Sequence, residues 1–330
     1  MQSIDLVKVE DVRFFVDLLM QVDSDAYAVL RQATIPNDIR GAQSYDYLPE
    51  SALRNALEVL GEHYSTPQLV LIFWQSIRDN YMSDFTAQLS PSIPVLDACH
   101  ELTLLVKRAS LGAKVYPSYI AGSWWLVREK QGQHELWYEY GEIFSVLFLL
   151  EFIRSITHLT WKPKQISLVS ATSDAYQGLP TMDNITFITQ RSMTGIKICD
   201  EVMRQQVTSG IVRASKVTLP KAVTYVQPTF IATFKMAIFP YLSTGKLPIT
   251  VAAEILRMNV RTLQRRLAEH QLIYKTLIEE MTFELVLAAL KEERCSVTCI
   301  ATRFGYSDGA HFSRAFKRRM GMTPRQYRLS

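Results

Sequence analysis

Hydrophobic residues in the first part of the chain recur at helical spacing. Apolar positions three or four residues apart, with few helix breakers between them, predict helices at residues 9–22, 25–34, 49–62, 67–80 and 94–109. A later and almost wholly apolar stretch, residues 143–158, predicts a buried helix. The N-terminal region is therefore expected to be largely helical.

The pattern changes between residues 113 and 140, where apolar and aromatic residues alternate with polar ones. AKVYPSYIAG, SWWLVREKQG and HELWYEY all show this alternation, which is typical of strands. KQISLVSA and NITFITQ are further strand candidates, beginning at Lys164 and Asn184. Residues 1–205 are thus predicted to form an α+β domain with more helix than strand.

From Thr229 onward the pattern is helical to the last residue, and one arrangement occurs twice. Residues 252–267 and 300–316 each begin with a short apolar helix that contains a small residue, and each continues through a turn into a second helix. The second helix carries the order apolar–x–Arg–x–apolar in both copies. The predicted capping residues of the two turns are Asn259 and Ser307. This is the pattern of a helix-turn-helix.

The second helix of each copy has an apolar face and a face that carries Arg beside other polar residues. Arg and Gln are suited to hydrogen bonding with guanine and adenine in the major groove. The predicted base contacts are Arg261, Gln264, Arg265, His311 and Arg314. Nearby polar and basic side chains suit phosphate oxygens, which give affinity without sequence preference. The predicted phosphate contacts are Asn259, Ser307, Lys317, Arg318, Arg319, Arg325 and Arg328.

A basic helix that only faces solvent is the alternative for either copy taken alone. Two copies about 49 residues apart with matched spacing favour two helix-turn-helix units instead. The intervening residues 274–293 predict a long helix that would hold the units at a fixed separation. Two such units would be able to enter successive major grooves, about 34 Å apart.

Composition and charge support a basic module joined to a mildly acidic one. The 330 residues are 48% hydrophobic and 21% charged, which fits a globular protein of two domains. Residues 226–330 contain 16 Lys and Arg against 8 Asp and Glu, whereas residues 1–225 contain 20 against 24. The basic excess points to nucleic acid as the partner of the C-terminal part.

Several other classes of protein are not expected from the sequence. The longest apolar run, residues 143–150, is too short to span a membrane, and the acidic N-terminus does not resemble a signal peptide, so a cytoplasmic location is expected. The four cysteines do not form a disulfide framework or a zinc-binding pattern. Neither a metal nor a cofactor is predicted, and the chain lacks a recognisable catalytic motif.

The segment IATRFGYSDGAHFSRAFKRRMGMTPRQYR resembles the C-terminal signature of the AraC/XylS family of bacterial transcription regulators. The resemblance implies an all-α domain at residues 226–330, with two helix-turn-helix units joined by a long helix, bound to double-stranded promoter DNA. Residues 206–225 would be a linker. The chain departs from the family's usual glycines at Arg257 and at His270-Gln271.

Residues 1–205 resemble, more weakly, the helical, arabinose-binding-like sensor domain of one branch of the same family. WKPKQISLVSATSD, which begins at Trp161, is the stretch that carries this likeness. It implies a domain for effector sensing and association, a homodimer, a small-molecule effector and RNA polymerase as a partner.

Five aromatic residues on two adjacent predicted strands are candidates for lining a ligand pocket, and the core of a covered sheet is their alternative role. They are Trp124, Trp125, Trp137, Tyr138 and Tyr140. The sequence therefore predicts a transcriptional regulator modulated by a small molecule. Two alternatives stay open: a regulator without an effector, controlled by its abundance, and an enzyme domain addressed to DNA by the C-terminal module.

Overall fold

The computed structural model describes residues 4–21, 26–41, 44–157, 160–179, 182–207, 228–245, 247–292 and 295–330. These residues divide into two compact units. The N-terminal unit contains the described residues of 5–40 and 52–207, and the C-terminal unit those of 4, 41–51 and 228–330. Most of the predicted linker lies outside the described residues.

Helices make up most of the N-terminal unit. They are α1 (Val9–Leu19), α2 (Ala26–Gln32), α3 (Glu50–His63, which begins in the other unit), α4 (Thr66–Ser76), α5 (Met82–Thr86), α6 (Val95–Ala109), α7 (Trp137–Ile156) and α8 (Asp200–Arg204). A π-helical turn, Ile77–Tyr81, joins α4 to α5. Helix α4 begins with a capping box in which Ser65 and Gln68 bond each other's backbone, and Pro67 suits its first turn. The five helices predicted up to residue 109 are confirmed.

A five-stranded sheet completes this unit. Its strands are β3 (Lys114–Ile120), β4 (Ser123–Glu129), β5 (Gln165–Ser167), β6 (Thr186–Ile188) and β7 (Thr194–Ile198), in the order β3-β4-β7-β5-β6. All neighbours are antiparallel except β5 and β6. Strand β1 (Leu6–Lys8) precedes α1. Helix α6 packs against β3, and α7 packs against β7.

The prediction of a strand at HELWYEY is wrong, because α7 begins there, at Trp137. Trp137 and Tyr138 are buried, and so is nearly every residue from Gly141 to Ile156. A helix buried on all sides shows no amphipathic period, so its aromatic first turn cannot be told from a strand by pattern alone. The mixed α/β character of the N-terminal region is confirmed.

The C-terminal unit is helical. Its described residues from 228 onward form α9 (Phe230–Ile238), a 3₁₀ turn (Phe239–Thr244), α10 (Ile249–Ile255), α11 (Val260–Glu269), α12 (Tyr274–Lys291), α13 (Val297–Arg303), α14 (Gly309–Met320) and α15 (Pro324–Leu329). The long helix expected at 274–293 is α12. No helix in the described parts of either unit has the length and apolar character needed to cross a membrane.

A short N-terminal segment also belongs to the C-terminal unit. Strand β2 (Tyr47–Pro49) packs against α9, and the Ser51 hydroxyl donates a hydrogen bond to the carbonyl of Ile255 at the end of α10. The sequence alone placed this segment in the N-terminal domain. The segment contacts residues about 200 positions later in the chain, and such distant contacts cannot be predicted from the local spacing of hydrophobic residues.

Candidate nucleic-acid interface

The first helix pair consists of α10 and α11, joined by residues 256–259. Asn259 caps α11, since its Oδ1 accepts a hydrogen bond of 2.8 Å from the backbone N–H of Arg261. Leu263 and Leu267 are fully buried and hold the helix against the unit. The opposite face is thereby turned to solvent.

The second helix pair consists of α13 and α14, joined by residues 304–308, so its turn is one residue longer. The cap of α14 is Asp308, whose Oδ1 accepts a 2.6 Å hydrogen bond from the N–H of His311. The prediction that Ser307 caps this helix is wrong for that reason. The Ser307 hydroxyl instead donates to Oδ2 of Asp308, at 3.3 Å. The Asp308 cap could have been found from its place directly before the small residues at 309 and 310.

The backbone hydrogen bond from His311 lowers the pKa of Asp308 below its ordinary value of 3.8. The carboxylate is therefore charged at neutral pH and lies at the positive end of the α14 dipole.

Aromatic side chains anchor α14. Phe312 and Phe316 are each 1% exposed, and they pack in one cluster with Ile300 and Ala301 of α13. The Phe316 ring also lies 5.5 Å from Phe283 of α12 and 5.7 Å from Tyr327 of α15. Three neighbouring helices thus fix the orientation of α14.

The five predicted base-contact residues are all exposed. Arg261, Gln264 and Arg265 lie on α11, and His311 and Arg314 lie on α14, in each case opposite the buried face. Their local surroundings differ, because Arg265 forms an ion pair of 2.7 Å with Glu269 one turn later. Arg314 makes no ion pair with any residue that the structure describes.

The five basic residues among the predicted phosphate contacts fall into two groups. Lys317, Arg318 and Arg325 are exposed, whereas Arg319 is exposed but lies over the Phe283 ring at 4.0 Å. Arg328 has an internal role: it donates to the carbonyl of Leu290 at 2.9 Å and to that of Cys295 at 2.7 Å. Its guanidinium therefore ties α15 to the chain after α12.

Arg266 of α11 is buried and does not belong to this surface. It is 7% exposed and lies over the Phe230 ring of α9 at 5.0 Å. The alternation of Arg265 outward and Arg266 inward follows from helical geometry. On α11 the candidate surface thus carries Arg265 and not Arg266.

The five aromatic pocket candidates are not on one pair of strands. Trp124 and Trp125 lie on β4 and are partly buried, whereas the other three lie in the first turns of α7. Trp137 is 2% exposed, receives the guanidinium of Arg54 over its ring at 4.6 Å, and donates its Nε1–H to Glu135. Tyr140 packs against Gly61 of α3. A pocket role for these residues stays a prediction.

The C-terminal part of the chain is similar in sequence to known proteins. Residues 252–330 match a family model described as a helix-turn-helix domain. The chain is 34% identical over 82 residues to the HTH-type transcriptional regulator VqsM of Pseudomonas aeruginosa, an overlap of 25% of each chain. It is 39% identical over 87 residues to the HTH-type transcriptional regulator VirS of Mycobacterium tuberculosis, an overlap of 26% of each.

The chain thus spans about a quarter of the length of the curated relatives it matches. A solved structure of the transcriptional regulator CdpR from Pseudomonas aeruginosa aligns over 97% of both chains, at 15% identity and a TM-score of 0.34. That score is too low to support a conclusion about architecture. The likeness of sequence lies in the helices that present the exposed arginines, and residues 252–330 are a helix-turn-helix domain of the AraC type.

Proposed function

We propose that this chain is a sequence-specific DNA-binding transcriptional regulator in which both helix pairs act as helix-turn-helix units. One observation carries this function. The second helix of each pair begins at a side-chain cap, buries one face and exposes Arg side chains on the other. The match of residues 252–330 to a helix-turn-helix domain supports the same role.

In this function α11 and α14 enter successive major grooves. Arg261, Gln264 and Arg265 contact bases in one groove, and His311 and Arg314 do so in the next. The 18 residues of α12 give a helix about 27 Å long, which is comparable with the groove repeat of about 34 Å.

Phosphate contacts supply affinity around these helices. Lys317, Arg318 and Arg325 are the exposed cations, and Arg319 can reach a phosphate from its position over Phe283. Asn259 would donate from its turn through the amide N–H₂, and Ser307 would donate its hydroxyl proton by giving up the 3.3 Å hydrogen bond to Asp308. Arg328 is the weakest of these candidates because two internal carbonyls already occupy its N–H groups.

The N-terminal unit supplies regulation in this proposal. A small molecule bound there changes the affinity for DNA, the chain acts as a homodimer, and the bound regulator contacts RNA polymerase. The described residues of 5–40 and 52–207 form a compact mixed α/β unit of their own, which is available for a function other than DNA binding.

Affinity selection of genomic DNA fragments by the full-length protein tests the DNA-binding role. We expect enrichment of one motif about two major-groove turns long at physiological salt. A double variant, Arg261→Ala with Arg314→Ala, is the matched control, and it should retain salt-dependent binding but lose the motif. Equal enrichment by the variant and the parent protein would contradict sequence-specific contact by these helices.

A further inference from the structure

Asp11 on α1 is a partly buried acid with one unused, shielded oxygen. Its Oδ1 accepts a hydrogen bond of 2.5 Å from the hydroxyl of Tyr81. Its Oδ2 is shielded from solvent and has no hydrogen-bond partner among the described residues. Buried carboxylate oxygens are nearly always hydrogen-bonded, so this oxygen calls for a donor that the chain itself does not provide.

Three aromatic rings from three elements pack together beside Asp11: Phe14 lies one helical turn after it, Tyr81 bonds to its carboxylate, and Phe144 contacts both rings. The ring centroids of Phe14 and Tyr81 are 5.0 Å apart, those of Phe14 and Phe144 are 5.7 Å apart, and those of Tyr81 and Phe144 are 5.8 Å apart. All three rings keep part of their surface exposed, although each packs against the others. We call Asp11, Phe14, Tyr81 and Phe144 the Asp11 cluster.

The backbone at Tyr81 is also unusual. The segment Ile77–Tyr81 is a π-helical turn between α4 and α5, and it ends at Tyr81. Such turns are rare and are frequently found at functional sites. The turn belongs to the element that brings the tyrosine hydroxyl to Asp11.

The surroundings of Asp11 raise the pKa of its carboxyl group. Desolvation is the main cause that raises its pKa to about 6, and the neighbouring Glu10 raises it further. The Tyr81 hydrogen bond and the charge of Lys8 act in the opposite direction. Lys8 forms no ion pair with Asp11 in the described structure. Because pH 7.5 lies above this pKa, the Asp11 carboxylate is mainly ionised there.

We propose that the Asp11 cluster is a binding site for a small organic ammonium ion. An N–H of the ligand donates to Oδ2 of Asp11, and the charged nitrogen lies against the faces of Phe14, Tyr81 and Phe144. A carboxylate supplies the charge-assisted hydrogen bond, and aromatic faces attract cations through their quadrupoles. Oδ2 is shielded in this structure, so binding requires a side chain to move, and the partly exposed Phe14 is the side chain we expect to do so.

This site lies within the N-terminal unit and does not depend on DNA binding. It gives the small-molecule ligand of the proposed regulator a chemical class, an organic amine, and to that extent it rests on the proposed function. Binding is therefore measured on the full-length protein without DNA. Motif selection with the same preparation shows separately whether the DNA-binding role holds.

The test is calorimetric titration at pH 7.5 with benzylammonium, using neutral benzyl alcohol as the uncharged analogue. We expect benzylammonium to bind with a Kd of about 1 mM or tighter and the alcohol to bind at least about tenfold more weakly. Asp11→Asn keeps the shape and the acceptor for Tyr81 but removes the charge, so it should weaken benzylammonium binding at least about tenfold. Asp17→Asn makes the same change at an exposed site on the same helix and should leave binding unaltered.

Phe144→Leu provides a second variant in case Asp11→Asn does not fold, which its thermal melting curve would show. Loss of one ring face should weaken benzylammonium several-fold and leave the weak binding of benzyl alcohol nearly unchanged. Three results would each overturn the assignment: no binding of benzylammonium at millimolar concentration, equal binding of the alcohol, or full binding by both Asp11→Asn and Phe144→Leu.

Discussion

The two helix pairs of the C-terminal unit adopt the same backbone bends with different residues. After its first helix, the second pair has Gly305 at a φ of 78°, where the first pair has Arg257 at 47°. After its second helix, the second pair has Gly321 at 75°, where the first pair has Gln271 at 58°. Only glycine adopts positive φ without steric penalty, so the first pair holds two strained residues and the second pair holds none at these positions.

The exposed faces of α11 and α14 also differ, in the charges that they carry. The Arg265–Glu269 ion pair on α11 has no equivalent on α14, where Arg318 takes the place of Glu269 relative to Arg314. The second pair is thus the less strained and the more strongly basic of the two. We infer that the second pair supplies most of the free energy of DNA binding. The first pair contributes less to this free energy and mainly affects which sequence is preferred.

The largest expected effect concerns the cores of the two pairs. Phe316→Ala should lower the free energy of unfolding by about 3–5 kcal/mol, because this ring is fully buried among α12, α14 and α15. Leu267→Ala, at the matching position of α11, should lower it by about 2–5 kcal/mol and by less than Phe316→Ala. Urea unfolding with hydrogen exchange measured at the amides of α11 and α14 gives both values.

Met322→Ala serves as the control for these core variants, since Met322 is 36% exposed and its loss should have little effect. A greater loss for Leu267→Ala than for Phe316→Ala would show that the first pair is the better packed one, and would reverse the comparison.

The next effect separates the two exposed arginines. Arg314→Ala should weaken binding to the selected DNA motif by about 1–3 kcal/mol, whereas Arg265→Ala should weaken it by less, because Glu269 competes for the Arg265 guanidinium. Glu269→Gln should strengthen binding by releasing Arg265. Fluorescence anisotropy at one fixed salt concentration measures all three variants, and a loss for Arg265→Ala as large as that for Arg314→Ala would remove the proposed difference between the pairs.

The elements that the sequence predicted correctly are those with a regular period and clear boundary residues. Helix α1 has its apolar residues on one face, and α9 begins directly after the capping residue Thr229. The apolar and basic faces of α11 and α14 followed from the same geometry. Helical periodicity and capping depend only on residues close together in the sequence, so a short stretch is enough to predict them.

The features that the sequence did not predict depend on contacts between distant residues. Strand β7 (Thr194–Ile198) pairs with β4 and β5, and its alternation, Ile196-Lys197-Ile198, is too short to identify a strand from the sequence alone. The position of Asp11 beside Tyr81, 70 residues away, is of the same kind. Arg328 gave the signal of a phosphate contact, and only the fold shows that two carbonyls engage it.

A smaller effect tests the strain at the end of α11 and α14. Nothing lies within 4 Å of a methyl group built on Gly321, so Gly321→Ala should destabilise by about 1 kcal/mol through its positive φ alone. Gln271→Gly should relieve the corresponding strain and stabilise by up to about 1 kcal/mol, reduced by the greater freedom of glycine in the unfolded chain. Thermal melting of the two variants provides the measurement, and a Gln271→Gly protein less stable than its parent would refute strain at that position.

The smallest effect is the response of the two helix caps to acid. Asp308 can be protonated and Asn259 cannot, so only α14 loses its cap at low pH. The backbone hydrogen bond from His311 lowers the folded-state pKa of Asp308 below 3.8, so its stabilising effect is fully present above that pH. The effect is lost as the pH falls through the lower, folded-state pKa.

We expect the amide ¹⁵N–¹H signal of His311 to titrate with a midpoint below 3.8, and that of Arg261, which bonds to Asn259, to stay unchanged over the same range. Asp308→Asn should abolish the His311 titration while keeping the cap. A His311 midpoint above 3.8, or a matching change at Arg261, would mean that the signal follows acid unfolding of the whole unit rather than protonation of one cap.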